Sequence, residues 1–214
     1  MTQSALRAEL SRRWQSLTRA MGADREASQR VGETLLDAYS GPDRHYHGLK
    51  HLEFLFGEID QHSGRISDLH RLELAAWFHD WIYDTQRNDN EARSADTALA
   101  MLEEMRVSPN LRERVAALIR MTRSHTSSGD EDDDLFLDMD FAILGAPARV
   151  YDQYAEQVRA EFSWVPAELF DAGRAEFLRS VLARKRIFLT EIYEARLGEQ
   201  ARDNISREID RLEG

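Results

Sequence analysis

Residues 48–62 read GLKHLEFLFGEIDQH, and their reading decides the fold. Leu52, Leu55, Phe56 and Ile59 fall at i, i+3, i+4 and i+7, which is one face of an α-helix. His51 stands at the head of that apolar face, where an imidazole must be explained. Leu111, Val115, Leu118 and Ile119 repeat the helical spacing downstream. Breakers stand where helices should stop: Gly41-Pro42, Ser63-Gly64, Ser108-Pro109, Ser127-Ser128-Gly129, Gly145-Ala146-Pro147 and Val165-Pro166. Alternating Val/Ile/Thr runs bounded by Asn-Gly or Asp-Gly, which would announce strands, are missing.

The pattern predicts an all-α single helical-bundle domain of roughly eight to eleven helices. The expected helices cover about 3–21, 24–39, 48–62, 66–80, 90–106, 109–123, 134–145, 147–162 and 166–184, with a last one reaching about 212. The chain reads as one domain over 1–214, with a metal-site core at about 44–145 and C-terminal helices over 147–212. A length of 214 residues can bury a sizeable core, and 42% hydrophobic residues with four tryptophans argue for a folded chain.

Net charge is −11, which disfavours a nucleic-acid polymer or an anionic membrane surface as partner. A small phosphorylated ligand is still compatible, because a few local Arg or Lys can hold a phosphate. No apolar run approaches a membrane span, and MTQSALRAELSRRW has no secretory h-region. Zero cysteines exclude disulfides, thiolate ligation and cysteine nucleophiles. A cytoplasmic protein, monomeric or homodimeric, is the expectation. The acidic run Gly129 to Asp134 reads as a solvated loop.

Three apolar stretches carry groups that do not belong in a plain core: His51 in HLEFLF, His79-Asp80 in AAWFHDWIY, and Asp140 in LFLDMDFAILG. A buried carboxylate is costly unless it is paired or binds metal. Two imidazoles and two carboxylates form a mixed N/O set suited to a divalent transition metal. A single His-Asp pair among seven histidines is close to chance; its company is what carries weight. Asp138 and Asp140 are two apart and cannot share a helix face, so one looks inward and the other outward. Adjacent His79 and Asp80 diverge by about 100° on a regular helix, so one metal reaches both only near a helix terminus or with Asp80 edge-on. His47 would share a face with His51 if the helix began by position 47, which Gly48 puts in question.

The order His…His-Asp…Asp, with gaps of 28 and 60 positions, resembles the HD superfamily of metal-dependent phosphohydrolases. DMDFAILG looks like the DAD-x-x-x-x-G segment around that superfamily's last ligand. HYHGLKH, FHDWIYD, DNEARSA and MTRSHT, with a Tyr/Arg-rich C-terminal region, are similar to a bacterial subgroup described only as predicted phosphohydrolases; the likeness runs from about residue 8 to 210. The resemblance implies His51, His79, Asp80 and Asp140 as metal ligands, Asp138 being the reserve. It implies hydrolysis of a small phosphorylated compound, a nucleotide in the first instance.

Such a cation would lower the pKa of a coordinated water and polarise a phosphoryl oxygen. Manganese, iron, cobalt, nickel or zinc suit the donors, magnesium less so. Asp84, Glu91 and His125 are the candidates for general acid and base, in no fixed order. Arg44, His47, Lys50 and Arg123 are the candidates for holding substrate, with Arg87 nearby. The plainer expectations are a surface charge for each cation, a helix-start carboxylate for Glu91, and ordinary core for the aromatics Trp77, Phe78, Trp81 and Tyr83. A non-enzymatic helical module that keeps the metal for stability or ligand sensing is the alternative function.

Overall fold

The computed structural model describes residues 2–214, and the described residues are all-α. The order is α1 (Gln3–Ala20), α2 (Arg25–Ala38), α3 (Leu49–His62), α4 (Leu69–Phe78), α5 (Asn90–Glu104), α6 (Pro109–Met121), α7 (Glu131–Phe141), a 3-10 turn (Ala142–Gly145), α8 (Ala148–Glu161), α9 (Ala167–Leu182) and α10 (Glu191–Glu213). The contacts gather into two compact units, Met1–His125 and Thr126–Gly214. That division falls inside the 44–145 stretch expected to form the metal-site core.

In the first unit, α3 and α4 pack together, with α1 on α3, α6 on α4, and α5 on α6. Leu52, Leu55 and Ile59, the face that announced α3, are fully buried. Trp14 stands edge-on to Trp77 at 5.4 Å and to Phe78 at 6.0 Å, and Phe56 lies 4.9 Å from Trp77. Trp77, Phe78 and Trp81 are therefore core, as the plain reading expected. Trp14 Nε1 donates to the Ser28 carbonyl at 2.7 Å, and a Cβ at Gly32 would stand 2.3 Å from the Trp14 ring. Only glycine lets α2 come this close to the indole.

In the second unit, α10 packs along α9 and against the 3-10 turn, which α7 and α8 also touch. The helix α7 begins at Glu131 rather than at 134, so most of the acidic run is helical instead of loop. Asp130 caps it by accepting from the Asp132 and Asp133 amides, and four acidic residues fill the first turn. Carboxylates there meet the positive end of the helix dipole, a favourable use that a charge count does not reveal. Gly145 lies under α10: a Cβ there would stand 2.8 Å from the Leu197 carbonyl oxygen. Gly145→Ala should cost about 1–3 kcal/mol in a urea melt, as an overpacked backbone contact does. An unchanged midpoint would mean that α10 shifts at no cost.

Candidate metal centre

The helix α3 starts at Leu49, with Gly48 as an extended N-cap, so His47 lies outside the helix and His51 in its first turn. The helix α4 stops at Phe78 with His79 as its C-cap, and Asp80 follows in the turn. This terminus is what allows neighbouring residues to aim at one point.

His51 and His79 are buried to 3% and 1% exposure. Their Nε2 atoms face each other at 3.1 Å. Asp80 Oδ2 lies 3.1 Å from His79 Nε2 and 3.8 Å from His51 Nε2. His79 Nδ1 lies 3.0 Å from the Ala76 carbonyl oxygen, which can only accept. The Nδ1 proton is thereby fixed, and in the neutral ring Nε2 keeps its lone pair. Donors in neighbouring positions on one transition-metal ion lie about 3.0–3.4 Å apart, given bonds of roughly 2.0–2.2 Å. The two 3.1 Å separations match that spacing; the 3.8 Å one is wider. Two buried imidazoles with the Asp80 carboxylate beside them form a group that could hold a metal ion; Asp140 stands half-buried near the end of α7, in the second unit.

Asp138 is buried and accepts from Leu189 N at 2.7 Å, Thr190 N at 2.7 Å and Thr190 Oγ1 at 2.6 Å. Burial pushes its pKa up to about 6, against the pull of the hydrogen bonds from Thr190 and Leu189. It fastens the approach to α10 onto α7, within the second unit.

Sequence reasoning missed what holds the Asp80 backbone. The Tyr39 hydroxyl accepts from Asp80 N at 3.2 Å. Arg44 donates to the carbonyls of His47, Asp80 and Trp81 at 3.1, 2.6 and 2.6 Å. Its guanidinium also covers the rings of Tyr39 and Tyr83 at 4.9 and 5.3 Å. Arg44, nominated for substrate, is thus engaged as a clamp on the turn of Asp80 and Trp81. One residue further, Ser94 Oγ exchanges hydrogen bonds with Ile82 N and O at 3.0 and 3.2 Å. The Ser in DNEARSA was the only sequence signal of this support; for Tyr39 there was none. Removing an outer support of a ligand commonly costs about 10–100-fold in metal affinity. Arg44→Met should show such a loss in a competitive chelator titration, and wild-type affinity would reduce Arg44 to a packing residue.

His47 approaches Tyr83 at 4.4 Å between centroids and His51 at 5.9 Å, so it borders the centre. Tyr46 lies 5.1 Å from the His51 ring. Lys50, Arg123 and Asp84 are exposed. Asp84 builds the turn before α5: its Oδ1 accepts from Gln86 N, and its backbone pairs with the Asn90 side chain. Arg87 is held by Asp89 at 2.7 and 2.6 Å. Glu91 is half-buried in the first turn of α5. His125 is buried at a left-handed φ of 47°, with its amide on the Met121 carbonyl.

Among the described residues no helix is long and apolar enough to cross a membrane. No protein-family model, no curated protein and no solved structure matches the chain.

Proposed function

We propose that this chain is a metal-dependent phosphohydrolase of the HD type, acting in the cytoplasm, as monomer or homodimer, on a small phosphorylated compound such as a nucleotide. The observation that carries this reading is the convergence of the His51 and His79 Nε2 atoms at 3.1 Å with Asp80 Oδ2 beside them. His51, His79, Asp80 and Asp140 would hold the ion, with manganese, iron, cobalt, nickel or zinc suited to two imidazoles and two carboxylates. A divalent cation there supplies Lewis acidity to a phosphoryl oxygen and lowers the pKa of water.

The protein's own contribution is to hold these donors still. The Ala76 carbonyl keeps the proton of His79 on Nδ1, while Tyr39 and Arg44 pin the backbone of Asp80 from either side. His47 and Tyr83 border the donors, their ring centroids 4.4 Å apart. Asp84, Glu91 and His125, in no fixed order, are the groups proposed to move protons to and from the reacting oxygens.

The test is metal analysis of the purified protein, followed by a panel of nucleotides and generic phosphate esters assayed for released phosphate or pyrophosphate. Stoichiometric metal with turnover that chelation abolishes and metal restores is the expected result. Stoichiometric metal without turnover on any substrate would favour the non-enzymatic metal module instead.

A further inference from the structure

The turn that joins α1 to α2 borders a pocket of about 570 Å³, an ordinary size for a small-molecule site. Gly22 makes this turn at a left-handed φ of 66°, which a side chain would strain. The Ala23 amide donates to the Thr18 carbonyl at 3.0 Å, and the Asp24 amide to the Met105 carbonyl at 2.9 Å. Trp14 and Thr18 of α1 and Ser28 of α2 are the buried part of the lining. Their own donors are engaged within the chain. Trp14 Nε1 bonds the Ser28 carbonyl, Thr18 Oγ1 the Trp14 carbonyl at 3.0 Å, and Ser28 Oγ the Asp24 carbonyl at 2.5 Å. The walls are therefore fixed before anything binds. The whole pocket lies in the first unit, and none of the proposed metal ligands lines it.

Two lining residues are arginines, Arg19 and Arg25, and none is a carboxylate, in a chain of net charge −11. Arg7, Arg13 and Arg30 on the same two helices are each held by an acidic side chain. Arg19 and Arg25 are exposed, and among the described residues neither guanidinium makes a hydrogen bond, an ion pair or a ring contact. Arg19 stands in the last turn of α1, where the helix dipole favours a cation. Arg25 has no such reason, because it opens α2 at the positive end of the dipole. Its neighbour Asp24 is occupied, accepting from the Ala27 amide at 3.0 Å and lying 3.9 Å from Arg106 Nε. Glu26, on its other side, makes no ion pair with it. Two unengaged guanidiniums on one acid-free pocket are matched by an anion with several oxygens, since each fork takes two oxygens side by side.

We propose that the pocket between α1 and α2 binds a small organic anion carrying at least two negative charges on oxygen, a phosphate or a polycarboxylate. Arg25 is its principal contact and Arg19 the second. The site is separate from the metal centre and does not depend on it.

The experiment is calorimetric titration of the full chain with inorganic pyrophosphate and with citrate, beside acetate at equal ionic strength. Pyrophosphate or citrate should bind with an affinity that falls as salt is added, and acetate should not bind. The tighter of the two tells phosphate from carboxylate. Arg25→Met should weaken that binding at least tenfold, with Arg25→Lys in between, because charge survives but the fork is lost. Arg19→Met together with Arg25→Met should abolish it. Arg12→Gln removes the same charge from an exposed arginine of α1 outside the pocket, and should leave binding unaltered. Circular dichroism should show Arg25→Met fully helical, since the change takes a cation away from the positive end of α2. An anion that went to the metal centre instead would be insensitive to both arginines. Equal binding in wild type and the double variant therefore overturns the proposal. So does a wild type that binds neither probe, acetate bound as tightly as they are, or an Arg12→Gln loss as large as that of Arg25→Met.

Discussion

His79→Ala should abolish metal binding and metal-dependent hydrolysis while leaving the helical content intact. His79 Nε2 is 3.1 Å from both His51 Nε2 and Asp80 Oδ2, so it is the donor common to both close pairs. Without it, His51 and Asp80 remain 3.8 Å apart with nothing to bring them onto one ion. As one of the four proposed ligands, His79 should on removal lower metal affinity by well over 100-fold, more than the loss of an outer support does. The fold should survive: the imidazole lies at the end of α4, and its Nδ1 hydrogen-bonds a carbonyl of its own last turn. Asp80→Ala should behave alike, since the substitution leaves in place the bonds of the Asp80 backbone to Tyr39 and Arg44. Metal content by emission spectroscopy, with far-UV circular dichroism alongside, decides the matter. Stoichiometric metal and wild-type turnover in either variant would remove the centre from the mechanism. Collapse of the helical signal would show that the metal, or the pair itself, is structural, because metal affinity can be folding free energy.

Arg174→Met should be among the most destabilising single changes in the second unit. Arg174 and Glu208 are buried together, at 8% and 6% side-chain exposure, with Nε to Oε1 at 2.9 Å. The Tyr151 hydroxyl donates to the same carboxylate, and Arg174 also reaches the Tyr154 hydroxyl at 3.3 Å. Burial, and after it the charge of Glu208, push the Tyr151 hydroxyl well above the ordinary tyrosine range, so it stays a donor. Taking away the guanidinium leaves a buried carboxylate with a single neutral donor, at a cost of about 3–5 kcal/mol. The triple change Arg174→Met, Glu208→Leu, Tyr151→Phe removes every member at once and should recover most of that loss. Urea melts followed by circular dichroism measure both. A loss below about 1 kcal/mol for Arg174→Met would mean that Glu208 finds water or a proton in the variant.

What the sequence determined by itself was what local periodicity can carry. The face Leu52, Leu55, Phe56 and Ile59 is enough to make α3, because a 3.6-residue repeat needs only its own neighbours to be read. The same holds for the all-α class and for most helix ends, which Gly, Pro and Ser punctuate. The acidic run was misread as loop because a net charge says nothing about the helix dipole it serves. His51, His79 and Asp140 were legible as candidates because each interrupts an apolar run.

Tertiary structure decided everything that depends on long-range direction. Asp138 and Asp140 are the same residue type two positions apart. Only the amides of Leu189 and Thr190, some fifty positions away, turn Asp138 into a fastener. His79 and Asp80 could meet at one point only once α4 ended at Phe78. Arg44 looked like a surface cation, and its use depends on carbonyls 36 and 37 residues away. A backbone carbonyl carries no mark in the sequence, so nothing short of the folded chain could assign Arg44 to it.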